Sequence, residues 1–137
     1  MHRAVCLGLS LVLVLAGGRT AHAQGSKCTM WHMQTLAGSS DSVVVTSQLF
    51  MAPDGKSAMM KLPDRAPVPV RIVASGGDSM VSEAGPYPSV LRPGRTVTLL
   101  HIVTRFYDKD MTGTMEAHYD SGEVFHGRIR ASCGSKK

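Results

Sequence analysis

The stretch Thr96–Ser132, TVTLLHIVTRFYDKDMTGTMEAHYDSGEVFHGRIRAS, decides the fold. Apolar and polar residues alternate along Thr96 to Phe106, Met111 to Tyr119 and Glu123 to Ser132. A period of two belongs to strands that bury one face. Tyr107-Asp108-Lys109-Asp110 suits a hairpin with a two-residue loop on Asp108-Lys109. That loop pairs Phe106 with Met111, Ile102 with Met115 and Leu100 with Ala117. Asp120-Ser121-Gly122 suits a three-residue loop with glycine in the left-handed position, which pairs Tyr119 with Glu123, Ala117 with Phe125 and Gly113 with Ile129. This registry comes from turn chemistry alone. It gathers Leu100, Ile102, Phe106, Met111, Met115, Ala117, Phe125 and Ile129 on one face, with Cys133 on the same side. The opposite face carries His101, Arg105, Thr114, Glu116, His118, His126, Arg128 and Arg130, with Val103 and Val124 as its apolar exceptions. Agreement between turn signals and hydrophobic pattern supports the pairing.

Upstream, the same vocabulary continues. Ser42 to Met51 is β-branched and apolar and ends in the turn Ala52 to Gly55. Lys56 to Leu62 follows, then a bend through Pro63, Pro67 and Pro69. Val70 to Ala74 and Ser79 to Glu83 flank Gly76-Gly77, and Cys28 to Leu36 opens the sheet. Gly85 to Gly94 (GPYPSVLRPG) holds three prolines and is expected as an ordered loop or a brief helical turn. The result is an all-β chain of about eight short strands joined by hairpins. The predicted fold is a small antiparallel up-and-down barrel or closed meander.

The chain has 137 residues, enough for one domain. Residues 1–23 read as a secretory signal peptide: Arg3, the apolar run Ala4 to Ala16, and the small-residue site Ala21-His22-Ala23. The apolar run is shorter than the roughly 20 residues of a spanning helix. The expected mature domain, residues 24–137, is soluble, exported to the periplasm or the medium, and not stably inserted in a membrane. Loss of Arg3 and Arg19 lowers the net charge from +5 to +3. The remaining basic residues are scattered and aromatics are few, which argues against a nucleic-acid partner. Cys6 leaves with the signal peptide. Cys28 and Cys133 remain as an even pair in an oxidising compartment, and a bridge between them is expected.

Three arrangements could carry chemistry. On the inferred registry His101, Glu116 and His126 form one row across three strands, with His118 diagonally near. Two imidazoles and a carboxylate suit a divalent metal such as zinc, in a metal-binding protein or a metal-dependent enzyme. Against it, His101 and His126 stand two strand spacings apart, ~10 Å. An ordinary polar sheet face with one ion pair is the simpler reading. Met30-Trp31-His32-Met33 offers soft ligands, but alternation sends Met30 and His32 to one face and Trp31 and Met33 to the other. The eight methionines beyond Met1 read better as core filler. Third, the interior of an eight-strand barrel is either filled by side chains or just wide enough for one small ligand. Leu100, Ile102, Met115 and Phe125 would line it, making a small apolar molecule the expected partner. No cofactor is expected. No H-E-x-x-H, G-x-S-x-G, phosphate-loop or dinucleotide motif is present, so nothing in the sequence argues for catalysis. An envelope interaction protein with no small ligand is the remaining alternative.

With Trp31 in the first strand, a run of hairpins, and the closing segments Gly113 to Tyr119 (GTMEAHY) and Gly127 to Ala131 (GRIRA), the chain resembles a small lipocalin-like secreted bacterial β-domain. Gly76 to Thr98 is similar to segments of uncharacterised secreted bacterial proteins. The chain departs from true lipocalins at Thr29-Met30-Trp31, where they have Gly-x-Trp. The resemblance implies a barrel with a ligand inside and transfers no catalytic residue.

Overall fold

The computed structural model describes residues 28–134. The predicted signal peptide with Cys6, and the basic pair Lys136-Lys137, lie outside the described residues. Nine strands follow in chain order: β1 Met30–Ala37, β2 Val43–Met51, β3 Ser57–Lys61, β4 Val68–Gly76, β5 Ser79–Ala84, β6 Tyr87–Pro88, β7 Thr96–Tyr107, β8 Asp110–Tyr119 and β9 Val124–Cys133. Each main strand pairs antiparallel with its predecessor. β5 pairs β7, and β1 pairs β9, so eight strands close into a barrel. The short β6 adds to β7 at Val97 and Thr96, beyond the last residue that β5 pairs there. No described residue is helical.

The registry read from the turns is present. Phe106 pairs Met111, Ile102 pairs Met115 and Leu100 pairs Ala117. Ala117 pairs Phe125 and Gly113 pairs Ile129. Tyr119 N donates to Glu123 O at 2.9 Å. Asp108 takes the positive φ, 54°, that the first position of its two-residue loop requires. Burial then alternates along the strands, and Leu100, Ile102, Phe106, Met111, Met115, Ala117 and Ile129 are all buried.

Several features differ from the expected layout. β4 starts at Val68 and runs through Pro69. Val68 and Val70 flank it in the β3 ladder, opposite Met60 and Ala58. The alternation of antiparallel bonds turns the Pro69 nitrogen away from β3, and β5 ends at the partner of Val70, so no ladder bond is lost. β7 has an irregularity between Val97 and Leu99. It changes the parity of the strand, so Val97 and Leu100 both point inward and are buried. A similar shift places an extra residue in β2, where Val45 pairs Thr35 and Val43 pairs Leu36.

Cys28 and Cys133 form a disulfide with Cα atoms 5.9 Å apart, across a sequence separation of 105. It ties the start of β1 to the end of β9, where Trp31 pairs Cys133. Such bridges persist in oxidising, exported environments. Cross-linking so long a loop contributes about 4–5 kcal/mol in the chain-entropy model.

Candidate functional site

The strand directions give the barrel two unlike ends. One holds the β2–β3, β4–β5 and β7–β8 turns together with the disulfide. Its interior is solid: Trp31 has no exposed surface and its ring centroid lies 5.5 Å from that of Phe106, tilted by 45°. Met111 is buried in the same core. Trp31 Nε1 has no hydrogen-bond partner among the described residues.

The other end holds the β1–β2, β3–β4 and β8–β9 turns and the long connection from Gly85 to Arg95. Under that connection lies a chamber with a void of about 40 Å³. Its walls are apolar, with Met33, Met60 and Met115 from three strands, and five hydroxyl-bearing side chains: Thr35, Ser47, Tyr87, Ser89 and Tyr119. No charged side chain lines it. Thr35, Ser47, Ser89 and Tyr119 are buried. Burial raises the pKa of the Tyr87 phenol well above its ordinary value, and the neighbouring Tyr119 adds to the shift. Tyr87 is therefore a neutral donor at any physiological pH.

The Gly85–Arg95 connection is held down at several points. Gly85 has φ 117°, and a Cβ there would stand 2.8 Å from the Thr98 carbonyl oxygen, so only glycine brings the chain this close to β7. Ser89 N donates to Arg95 O, and Arg92 N donates to Ser89 Oγ, each at 2.9 Å. Ser89 Oγ also lies 3.3 Å from Tyr119 Oη. The Arg65 guanidinium donates to the Pro88 carbonyl. Arg92 reaches Glu123 at 2.9 Å, and Arg95 lies 3.9 Å from Asp120, both acids belonging to the β8–β9 turn. The hydrogen bond from Arg92, reinforced by its charge, holds the Glu123 carboxyl below its usual range. The segment's Tyr87, Ser89, Val90 and Leu91 line the chamber, while its Pro86 and Pro88 are exposed.

Of Leu100, Ile102, Met115 and Phe125, the residues expected to face the barrel interior, the first three line this chamber. Phe125 packs against the core without lining the chamber. Tyr87, Ser89 and Tyr119 were not anticipated. Tyr119 faces inward by the same β8 alternation that buries Met115 and Ala117, and the β7 irregularity, which no turn signal announces, sets Val97 inward opposite it.

The polar row exists in the backbone: His101 pairs Glu116, and Glu116 pairs His126. Barrel closure adds Glu83 on the far side of His101. The side chains then divide. His101 Nδ1 lies 3.3 Å from Glu83 Oε1, and His118 Nε2 lies 3.7 Å from Glu116 Oε1. Among the described residues no three His, Cys, Asp or Glu side chains gather as a metal site. In the Met30–Met33 segment, Trp31 and Met33 are buried inside while His32 is exposed, as strand alternation requires.

Comparison with known proteins finds no match for the chain among family models, curated proteins or solved structures.

Proposed function

We propose that this chain is an exported, lipocalin-like binding module, working in the periplasm or the medium, that holds a small apolar molecule beneath the Gly85–Arg95 connection. The observation behind this reading is the asymmetry of the barrel. One end is packed solid around Trp31, whereas the other keeps a void of about 40 Å³ with uncharged walls. A void of that size holds only two or three waters, against the roughly 300 Å³ or more of a site for a drug-sized ligand. The ligand is accordingly a molecule of few heavy atoms, accommodated by rotation of Met33, Met60 and Met115, whose unbranched side chains re-pack at low cost. Native mass spectrometry of protein purified from its own compartment tests the reading. A small non-covalent adduct that Met115→Trp abolishes is the expected result. Absence of any adduct, joined to no displacement of an apolar fluorescent probe, would overturn it.

A further inference from the structure

Resting on that reading, we propose that the chamber selects neutral carbonyl compounds: ketones, aldehydes or esters whose oxygen accepts hydrogen bonds from Tyr87 and Tyr119. The donor count leads there. Ser89 Oγ accepts the Arg92 N–H and is bonded to Tyr119 Oη. These two hydroxyls carry two protons, and their mutual bond uses one. Whichever direction that bond takes, one O–H proton remains to donate. Tyr87, which also lines the chamber, brings a second.

The two phenols belong to one row, Tyr87–Val97–Tyr119, across β6, β7 and β8. Both line the chamber, and Tyr119 adds to the raised pKa of Tyr87. The site thus has a pole with surplus donors beneath the connection and, below it, a wall of methionine, leucine and isoleucine that also carries the hydroxyls of Thr35 and Ser47. Surplus donors facing an apolar chamber call for an acceptor, because a polar group left unpaired against apolar walls is costly. A carboxylate would also accept, but the lining offers no cation to offset its desolvation. An alkane would fill the void and leave both donors unpaired. A neutral carbonyl group on a short apolar chain satisfies both poles.

The test is a titration of protein labelled with ¹³C at the methionine methyl groups, read at Met33, Met60 and Met115, with 2-pentanone, pentane and pentanoate. The ketone and the alkane are expected to shift these signals and pentanoate is not. Tyr119→Phe should weaken 2-pentanone roughly tenfold, the worth of one hydrogen bond, and leave pentane within about twofold. Tyr87→Phe should do the same, and it leaves the Ser89 bond intact should Tyr119→Phe fail to fold. Ketone affinity unchanged in both variants, or pentanoate binding as well as the ketone, would overturn the carbonyl preference while leaving an apolar chamber. If neither 2-pentanone nor pentane shifts any methionine signal, the binding-module reading falls with it.

Discussion

Arg92 and Glu123, 31 positions apart in the chain, meet at 2.9 Å and join the Gly85–Arg95 connection to the turn between β8 and β9. Both groups are well exposed, so the pair contributes little to global stability and acts on the local closure of one end. The depressed pKa of Glu123 fixes the direction of its pH response. Its contribution is complete above the ordinary carboxylate range and is lost as pH falls through the depressed value. Hydrogen-exchange protection of Val90–Arg95 should therefore drop on acidification while that of β8 and β9 holds. Glu123→Gln should lower the same protection at neutral pH and remove most of its pH dependence. Equal protection in wild type and variant would show that the connection is held by other bonds.

Reduction of Cys28–Cys133 should lower stability by about 2–5 kcal/mol, measured as the shift in denaturant midpoint at constant slope. Trp31 is the chain's single tryptophan and pairs Cys133 in the β1–β9 ladder. Disulfides quench nearby indoles, so Trp31 emission should rise on reduction before any unfolding. An unchanged midpoint would mean that β1–β9 pairing alone holds the seam.

Trp31→Ala removes the largest fully buried side chain and its partner for Phe106, for an expected cost of about 3–5 kcal/mol. Trp31→Phe should cost less than the alanine variant, since it keeps an aromatic ring and deletes an N–H that has no partner among the described residues. The order of the two thermal midpoints decides this.

Gly85→Ala should cost roughly 1–3 kcal/mol, from a φ that side chains resist and a backbone oxygen 2.8 Å from the new Cβ. The loss should concentrate at the Gly85–Arg95 end. Exchange protection that falls near Tyr87 but not near Trp31 would establish that.

The hairpins from β7 to β9 were legible because two turns of definite chemistry, Asp108-Lys109 and Asp120-Ser121-Gly122, fix the register, and period two then assigns every side chain to a face. The disulfide was legible from the cysteine count and the expected export of the chain. What escaped depends on events without a local signal. The irregularity between Val97 and Leu99 changes the parity of β7 and sets Val97 inward opposite Tyr119. The β5–β7 pairing spans the connection and brings Glu83 to His101, which redirects the histidine from its expected row. Pro86 and Pro88 pointed to an ordered loop, but not to the two residues of β6 or to their place over the barrel mouth.

The β1–β9 seam has one more consequence. The ends of the described chain stand side by side, with Gly134 N donating to Met30 O at 2.8 Å. All eight barrel strands, β1 and β9 included, have two neighbours, so the ring of hydrogen bonds contains no privileged first strand. A short peptide could stand in for the sulfur–sulfur link, and the chain could be opened at the exposed turn Ser121-Gly122 instead. Such a circular permutant would keep the barrel's pairings while severing the covalent continuity that now runs through the turn beside Glu123. It would separate what the ring of strands contributes to the chamber from what the order of the chain contributes.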